Sequence, residues 1–99
     1  MIIKTRFGVH DLQPRRGEYT QGGLAIHLYE KGEPFCALTV WLAPLGDPAE
    51  AFVDTNNFPE AEDFIRIHEL GTFTGTTAYS GFCEYPLYRF DLSKIIVKL

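Results

Sequence analysis

With 99 residues, the chain is long enough for one domain with a single hydrophobic core and too short for two. Hydrophobic residues make up 45% of it and charged residues 22%, which is typical of a folded domain and excludes a disordered tail. The formal net charge is −4, and Arg15-Arg16 is the only basic pair, so the composition argues against direct binding to nucleic acid or to an anionic membrane.

The first part of the chain is predicted to form β-strands. Hydrophobic and polar residues alternate over Ile2–Val9, which predicts a first strand, and Asp11–Gly17 is expected to be a loop. Alternation resumes over Leu24–Tyr29, and the turn residues of Glu30–Pro34 separate it from the β-branched and aromatic stretch Phe35–Leu42. We therefore expect Leu24–Tyr29 and Phe35–Leu42 to pair as a hairpin.

One amphipathic helix is predicted at about residues 58–70, after a short strand at Ala51–Asp54. Asn57 is expected to cap the helix, Pro59 suits its first turn, and Glu60 follows the cap by three residues, as in a capping box. Gly71 is expected to end it.

The remainder is predicted to contain two more strands. Thr72–Gly81 is small and polar and indicates a long loop or an irregular hairpin. Phe82–Phe90 is strand-like, but Pro86 lacks a donor, so this strand is expected to lie at an edge or to begin at Leu87; Ile95–Leu99 is expected to pair as the last strand. The predicted fold is α+β, a mostly antiparallel sheet of four to six strands covered by one helix, in a single domain over residues 1–99.

The candidate catalytic and metal-binding residues form no recognisable motif. Cys83, His68 and Asp54 are the residue types of a nucleophilic triad, but their spacing does not support one, and His68 falls on the apolar stripe of the helix. Cys36 and Cys83 lack C-x-x-C spacing and are expected to be reduced, buried or half-buried thiols. We expect no catalytic residues, no metal and no cofactor.

We expect no targeting segment and no membrane-spanning segment in this sequence. The N-terminal residues lack the apolar run of about seven to fifteen residues that a signal peptide contains. The longest uncharged, mostly apolar stretch, Pro34–Gly46, is too short to cross a bilayer. We therefore expect the protein in the cytoplasm of the host cell.

Acidic residues are concentrated in the second half of the chain. Residues 47–84 contain eight of the thirteen acidic residues and one basic residue, Arg66. The helix dipole accounts for those in the first helical turn, while an ordinary solvated surface remains the alternative explanation for the rest. The eight residues are Asp47, Glu50, Asp54, Glu60, Glu62, Asp63, Glu69 and Glu84.

Three strings of residues resemble an uncharacterised family of short proteins carried on phages and conjugative elements. They are Phe52-Val-Asp-Thr-Asn-Asn57, Tyr79-Ser-Gly-Phe82 and Tyr85-Pro-Leu-Tyr-Arg-Phe-Asp91, and the resemblance covers roughly residues 35–92. These motifs are structural in kind and transfer no catalytic residue. The resemblance implies a mobile-element origin, where small acidic proteins are similar in size and charge to anti-CRISPR and antirestriction inhibitors.

The resulting functional hypothesis is a non-enzymatic, anti-CRISPR-like inhibitor. Its acids would mimic DNA and bind the Lys/Arg groove of a basic nucleic-acid-binding protein, such as a CRISPR effector subunit, so binding is expected to be salt-sensitive. The aromatic residues Tyr79, Phe82 and Tyr85 would anchor the contact at the sheet edge.

Two alternatives remain open. One is a small enzyme or ligand-binding domain with its site in the Thr72–Gly81 loop near His68. The other is a structural domain that forms homodimers by pairing edge strands, either through Leu87–Phe90 or through the last strand.

Overall fold

The computed structural model describes all of residues 1–99 and contains three antiparallel sheets of two, three and four strands with one α-helix. The strand orders are β1-β2, β3-β4-β5 and β6-β7-β9-β8. The α+β class with mostly antiparallel strands is confirmed, whereas the expected single sheet covered by a helix is wrong. The elements are β1 (Ile2–Thr5), β2 (Gly8–Asp11), β3 (Gln13–Glu18), β4 (Leu24–Glu30), β5 (Glu33–Ala37), β6 (Thr39–Val40), β7 (Glu50–Val53), α1 (Ala61–Ile67), β8 (Gly71–Ser80) and β9 (Cys83–Phe90).

The predicted first strand is a hairpin, because the chain reverses at Arg6 and Phe7. The Thr5 hydroxyl donates to the carbonyl of Gly8 over 3.2 Å and accepts from the Phe7 N–H over 3.1 Å. Gly8 has φ +118°, a conformation that side chains disfavour. Thr5 and Gly8 are the last cross-strand pair, so Phe7 lies at the tip of the β1–β2 hairpin.

The expected loop at Asp11–Gly17 is also wrong, since most of it belongs to β3. This strand pairs with β4 along its whole length, from Gln13 opposite Tyr29 to Glu18 opposite Leu24. Hydrophobic alternation is the main sequence signal for a strand, and β3 lacks it because its residues are mostly polar.

The predicted β4–β5 hairpin is confirmed. Its two turn residues, Lys31 and Gly32, both have positive φ (52° and 80°), as a type I′ turn requires. The expected strand Phe35–Leu42 is nevertheless divided at Leu38, where the chain passes from the three-stranded to the four-stranded sheet. The Thr39 hydroxyl accepts from the backbone N–H of Ile26 over 3.0 Å and joins the two sheets.

The predicted strand Ala51–Asp54 is present as β7, and β9 is a central strand, so the expected edge position of Pro86 is wrong. Pro86 lies opposite Thr77, next to a bulge in β8 between Phe73 and Thr77. Within this bulge the Thr74 hydroxyl donates to the Leu87 carbonyl over 2.9 Å. A bulge tolerates the missing proline donor because the regular ladder is already interrupted there. Thr72–Gly81 is thus part of an irregular hairpin.

The helix is shorter than predicted, and its start is stabilised differently. Asn57 does not cap it; instead the buried carboxylate of Asp54 accepts hydrogen bonds from the Asn57 N–H (3.1 Å) and side-chain amide (2.9 Å). Glu60 occupies the N-cap position without a side-chain hydrogen bond, so the expected capping box is absent. Asp54 therefore orders the loop that leads into α1.

The helix ends before Gly71, in a Schellman motif. The Leu70 N–H donates to the Ile65 carbonyl over 2.9 Å, and the Glu69 N–H donates to the Arg66 carbonyl over 3.2 Å. Glu69 takes the left-handed position with φ 54°, where glycine is usual.

We expect Glu69→Gly to raise the free energy of unfolding by about 1 kcal/mol, because glycine removes the left-handed penalty. The ion pair lost with Glu69, to Lys94 at 3.5 Å, is exposed and contributes little. Urea denaturation measures the change, and Glu69→Ala is the control, since it removes the side chain but keeps the penalty. Equal stabilities of the Gly and Ala variants would contradict the assignment.

The main core lies between α1 and the inner faces of the sheets and contains 16 buried residues, including Phe64 and Ile65 of the helix. Strand alternation places Phe52 and Leu87 on the opposite face of the four-stranded sheet. There they form a second small cluster with Tyr85, against which Leu42 and Leu45 pack.

The expected last strand, Ile95–Leu99, is reduced to a single parallel bridge between Arg16 and Lys98. The Arg16 N–H donates to the Val97 carbonyl over 2.8 Å, and the Leu99 N–H donates to the Arg16 carbonyl over 2.9 Å. This segment lies against β3.

Candidate interaction surface

Three exposed aromatic side chains project from the tips of two hairpins. Phe7 is 79% exposed, Tyr79 73% and Phe82 108%. Large aromatic side chains with so little burial contribute almost nothing to the core of their own domain. They are therefore candidates for contact with another molecule.

The loop between β7 and α1 connects these two tips. Phe7 shares a cleft with Asn57, Pro59 and Glu60 of this loop. On the other side, the Thr55 hydroxyl lies 3.5 Å from the carbonyl of Glu84, the residue opposite Tyr79 in the β8–β9 ladder. We call this region the aromatic surface; it consists of Phe7, the loop residues Thr55–Glu60, Tyr79, Phe82 and Glu84.

Local turn chemistry fixes the position of Phe82. The β8–β9 turn has two central residues, and Gly81, the first of them, has φ 62°. Glycine at this position suits the type II′ turn of tight hairpins. Phe82 therefore projects from a short turn rather than from a long loop.

The structure places Tyr79 and Phe82, two of the three predicted anchor residues, on the aromatic surface, but it excludes Tyr85. Tyr85 is 8% exposed and packs with Phe52 and Leu87 in the second cluster. Alternation along β9 directs it to the sheet face that residues 41–45 cover. It is not available as an anchor.

Five of the eight predicted acidic residues are engaged within the chain. Exposed ion pairs hold three of them, and the Tyr88 hydroxyl donates to Glu62 over 2.6 Å. Asp54 is buried in its hydrogen bonds to Asn57. The three ion pairs are Asp47 with Arg89, Asp63 with Arg66 at 3.3 Å, and Glu69 with Lys94 at 3.5 Å.

The eight acidic residues do not form a row. Glu50 lies on the same face of the four-stranded sheet as Phe52, whereas α1, with Glu62 and Asp63, packs on the opposite face. Glu60 and Glu84 belong to the aromatic surface, and Glu84 raises the pKa of Tyr79 above its ordinary value by hydrogen bonding to the hydroxyl. The carboxylates are thus distributed over both faces of the sheet.

The residues of the catalytic alternative have other partners. The His68 ring packs 5.0 Å from that of Phe64, and its Nε2 lies 2.8 Å from the carbonyl of Ile2, so His68 joins α1 to β1. Burial raises the pKa of the half-buried Cys36 thiol to about 11, which keeps it protonated and weakly nucleophilic. Cys83 is also a half-buried free thiol. No three His, Cys, Asp or Glu side chains are grouped as metal ligands would be.

The segment Thr72–Gly81, in which the ligand-binding alternative places its site, is not a loop, because residues Gly71–Ser80 form strand β8. The predicted dimer edge Leu87–Phe90 is wrong for a similar reason: β9 lies between β7 and β8, and both of its edges are paired. The free edge of this sheet is β8.

Sequence reasoning missed Phe7 as an exposed residue, because the alternation over Ile2–Val9 predicts a continuous strand. A continuous strand would place Phe7 with Ile3 and Thr5 on a buried face. The sequence signal for the turn at Arg6 and Phe7 is Gly8, because a glycine inside an alternating segment favours a turn or a bulge.

The only α-helix spans seven residues, and no helix has the length and hydrophobicity needed to cross a membrane. No curated protein and no solved structure shows a significant match to the chain. A family model for a domain of unknown function does match, and it covers residues 17–97, which include the loop and the β8–β9 hairpin of the aromatic surface. The chain therefore belongs to the DUF4313 family.

Proposed function

We propose that this protein is a non-enzymatic binding domain that docks onto another protein through the aromatic surface. The observation that carries the proposal is the exposure of Phe7, Tyr79 and Phe82 at two separate hairpin tips around one ordered loop. Aromatic residues are enriched at protein interfaces and supply most of the binding energy when a partner pocket desolvates them.

The charges near these side chains favour a basic partner. Glu60 and Glu84 form no ion pair within the chain, and they outnumber Arg6, whose guanidinium lies 5.0 Å over the Phe7 ring and which is the one basic residue of the cleft beside it. Carboxylates at the rim of an apolar contact steer a partner with Lys or Arg side chains around its pocket. The expected partner surface is an apolar pocket with a basic rim.

In its narrower form, the proposal is an inhibitor of a host nucleic-acid defence complex, such as a CRISPR effector. Its support is the net charge of −4, together with the resemblance of residues 52–57 and 79–82 to mobile-element proteins. The first string contacts the β8–β9 hairpin, which carries the second string, through the Thr55 hydroxyl and the Glu84 carbonyl. In this form, aromatic anchors rather than a DNA-like row of carboxylates provide the affinity.

We expect the double variant Phe7→Ala/Phe82→Ala to lose binding by about 100-fold or more, because each interface hot spot contributes about 2 kcal/mol or more. The control is Ile67→Ala/Ile96→Ala, which removes two exposed apolar side chains (52% and 70%) elsewhere. Affinity capture from bacterial cells that carry nucleic-acid defence systems identifies the partner, and surface plasmon resonance then compares the three proteins.

A second pair of variants tests the basic rim. Glu60→Gln/Glu84→Gln is expected to flatten the salt dependence of binding while leaving most of the affinity at high salt. If the aromatic double variant binds as tightly as the wild type, while the Ile67/Ile96 control does not, the aromatic surface is not the binding site.

A further inference from the structure

A cleft lies on the sheet face opposite α1, away from the loop that forms the aromatic surface. It is bordered by the β3–β4 turn and by residues 41–45, and it is a half-open cleft of about 160 Å³. The turn contributes Gly22 and Gly23, which have φ +89° and +99° and carry no side chains that could fill the space. The cleft is therefore produced by the turn geometry.

The walls are mainly apolar and aromatic, with one charged side chain among them. Tyr19 and Trp41 contribute rings, and Leu24 and Phe52 contribute apolar walls. Glu50 is the only charged residue that lines the cleft.

The Glu50 carboxylate has no hydrogen bond or ion pair within the protein. Arg89 lies directly opposite Glu50 in the β7–β9 ladder, but its guanidinium pairs with Asp47 instead. Glu50 is half-buried at the wall of the cleft, so its carboxylate is free to accept hydrogen bonds from a bound cation. A carboxylate without an ion-pair partner in an otherwise uncharged cleft favours a cationic ligand over a neutral or anionic one.

We propose that this cleft binds an alkylammonium group, as carried by a lysine side chain or a small organic amine. An ammonium ion pairs with the carboxylate of Glu50, and the rings of Trp41 and Tyr19 favour a cation over an anion. The cleft is half-open, and its volume of about 160 Å³ leaves room for a butyl chain. The apolar walls then contact the methylene groups.

The chain contains a single tryptophan, Trp41, so its fluorescence reports occupancy of the cleft directly. We expect a saturable change on titration with n-butylammonium, and none with butyrate at the same ionic strength. Glu50→Gln, which keeps the side-chain shape, is expected to weaken binding at least tenfold. Glu33→Gln removes the same charge from the exposed β4–β5 turn and is expected to change nothing.

Two further ligands complete the test. An N-acetylated tripeptide amide with a central lysine, whose only charge is the lysine ammonium group, distinguishes the sources: tighter binding than n-butylammonium indicates a lysine side chain of a partner, and weaker binding indicates a free amine. n-Butanol tests the charge. An equal response to n-butanol and n-butylammonium, or unchanged ammonium binding by a folded Glu50→Gln variant, would overturn the proposal.

Discussion

Phe64→Ala is expected to lower the free energy of unfolding by about 4 kcal/mol, within the usual range of about 3–5 kcal/mol for loss of a buried phenylalanine. Phe64 is completely buried, and its ring lies 6.2 Å from that of Phe58 and 5.0 Å from that of His68. Its removal opens a cavity where α1 meets the β7–α1 loop. Since small domains have about 5–15 kcal/mol in total, a substantial fraction of the variant is expected to unfold near physiological temperature.

Phe82→Ala is the matched control, because it removes the same side chain from a fully exposed position. Its stability is expected to stay within about 0.5 kcal/mol of the wild type. Urea denaturation followed by circular dichroism gives both values. Similar losses for the two variants would mean that Phe82 packs within the domain and is not an exposed anchor.

Gly71→Ala is expected to cost on the order of 2–3 kcal/mol, because the new methyl group meets backbone that cannot move independently. A Cβ at Gly71 would lie 2.7 Å from the Arg89 carbonyl oxygen and 3.2 Å from the Phe90 Cα. Gly71 and Phe90 form the first pair of the β8–β9 ladder, so the clash separates the strands at the base of the hairpin. We expect faster amide hydrogen exchange along β8 and β9 as well as the loss of stability.

Gly46→Ala is the control for this effect. Nothing lies within 4 Å of a Cβ at Gly46, and its φ is not positive. Its stability is expected to stay the same or to rise slightly, because alanine restricts the unfolded chain. If Gly71→Ala were equally harmless, the close approach of β8 to β9 would be wrong, and with it the position of the hairpin.

The sequence predicts the helix face well but not its ends. Phe64 and Ile65 follow Ala61 at helical spacing (i, i+3, i+4), and burial of that stripe is a property of the helix itself. Asp54 and Asn57 are both residue types that can cap a helix, so the sequence does not show which of them accepts hydrogen bonds near the start of α1. The position of Asp54 at the end of β7 decides this, because its carboxylate there accepts from Asn57. The left-handed Glu69 likewise has no sequence signal.

The division into three sheets depends on contacts between distant residues. The charge of Arg15 makes strand β3 look like a loop in the sequence. In the fold, the Arg15 guanidinium lies 4.1 Å over the ring of Tyr29. Where β5 ends and β6 begins, the Ile26 N–H of the three-stranded sheet donates a hydrogen bond to the Thr39 hydroxyl of the four-stranded sheet. Neither contact follows from local alternation.

For the candidate surface, turn chemistry is the more informative signal. Gly81 forms the tight turn that exposes Tyr79 and Phe82, whereas Tyr85 shares their residue type but lies in a paired strand. The acidic residues were a weaker guide, because Arg89, Arg66 and Lys94 reach three of them only through the fold. A count of charges along the sequence does not show which acidic residues form ion pairs in the fold.

Site-specific photo-cross-linking tests most directly whether the aromatic surface binds a partner. A benzoyl-phenylalanine replaces Phe82 in one protein and Ile96, exposed at 70%, in the other. We predict a cross-link to the captured partner from position 82, competed by excess wild type but not by Phe7→Ala/Phe82→Ala, and none from position 96. Cross-linking of the same partner from position 96, with none from position 82, would contradict the proposed surface.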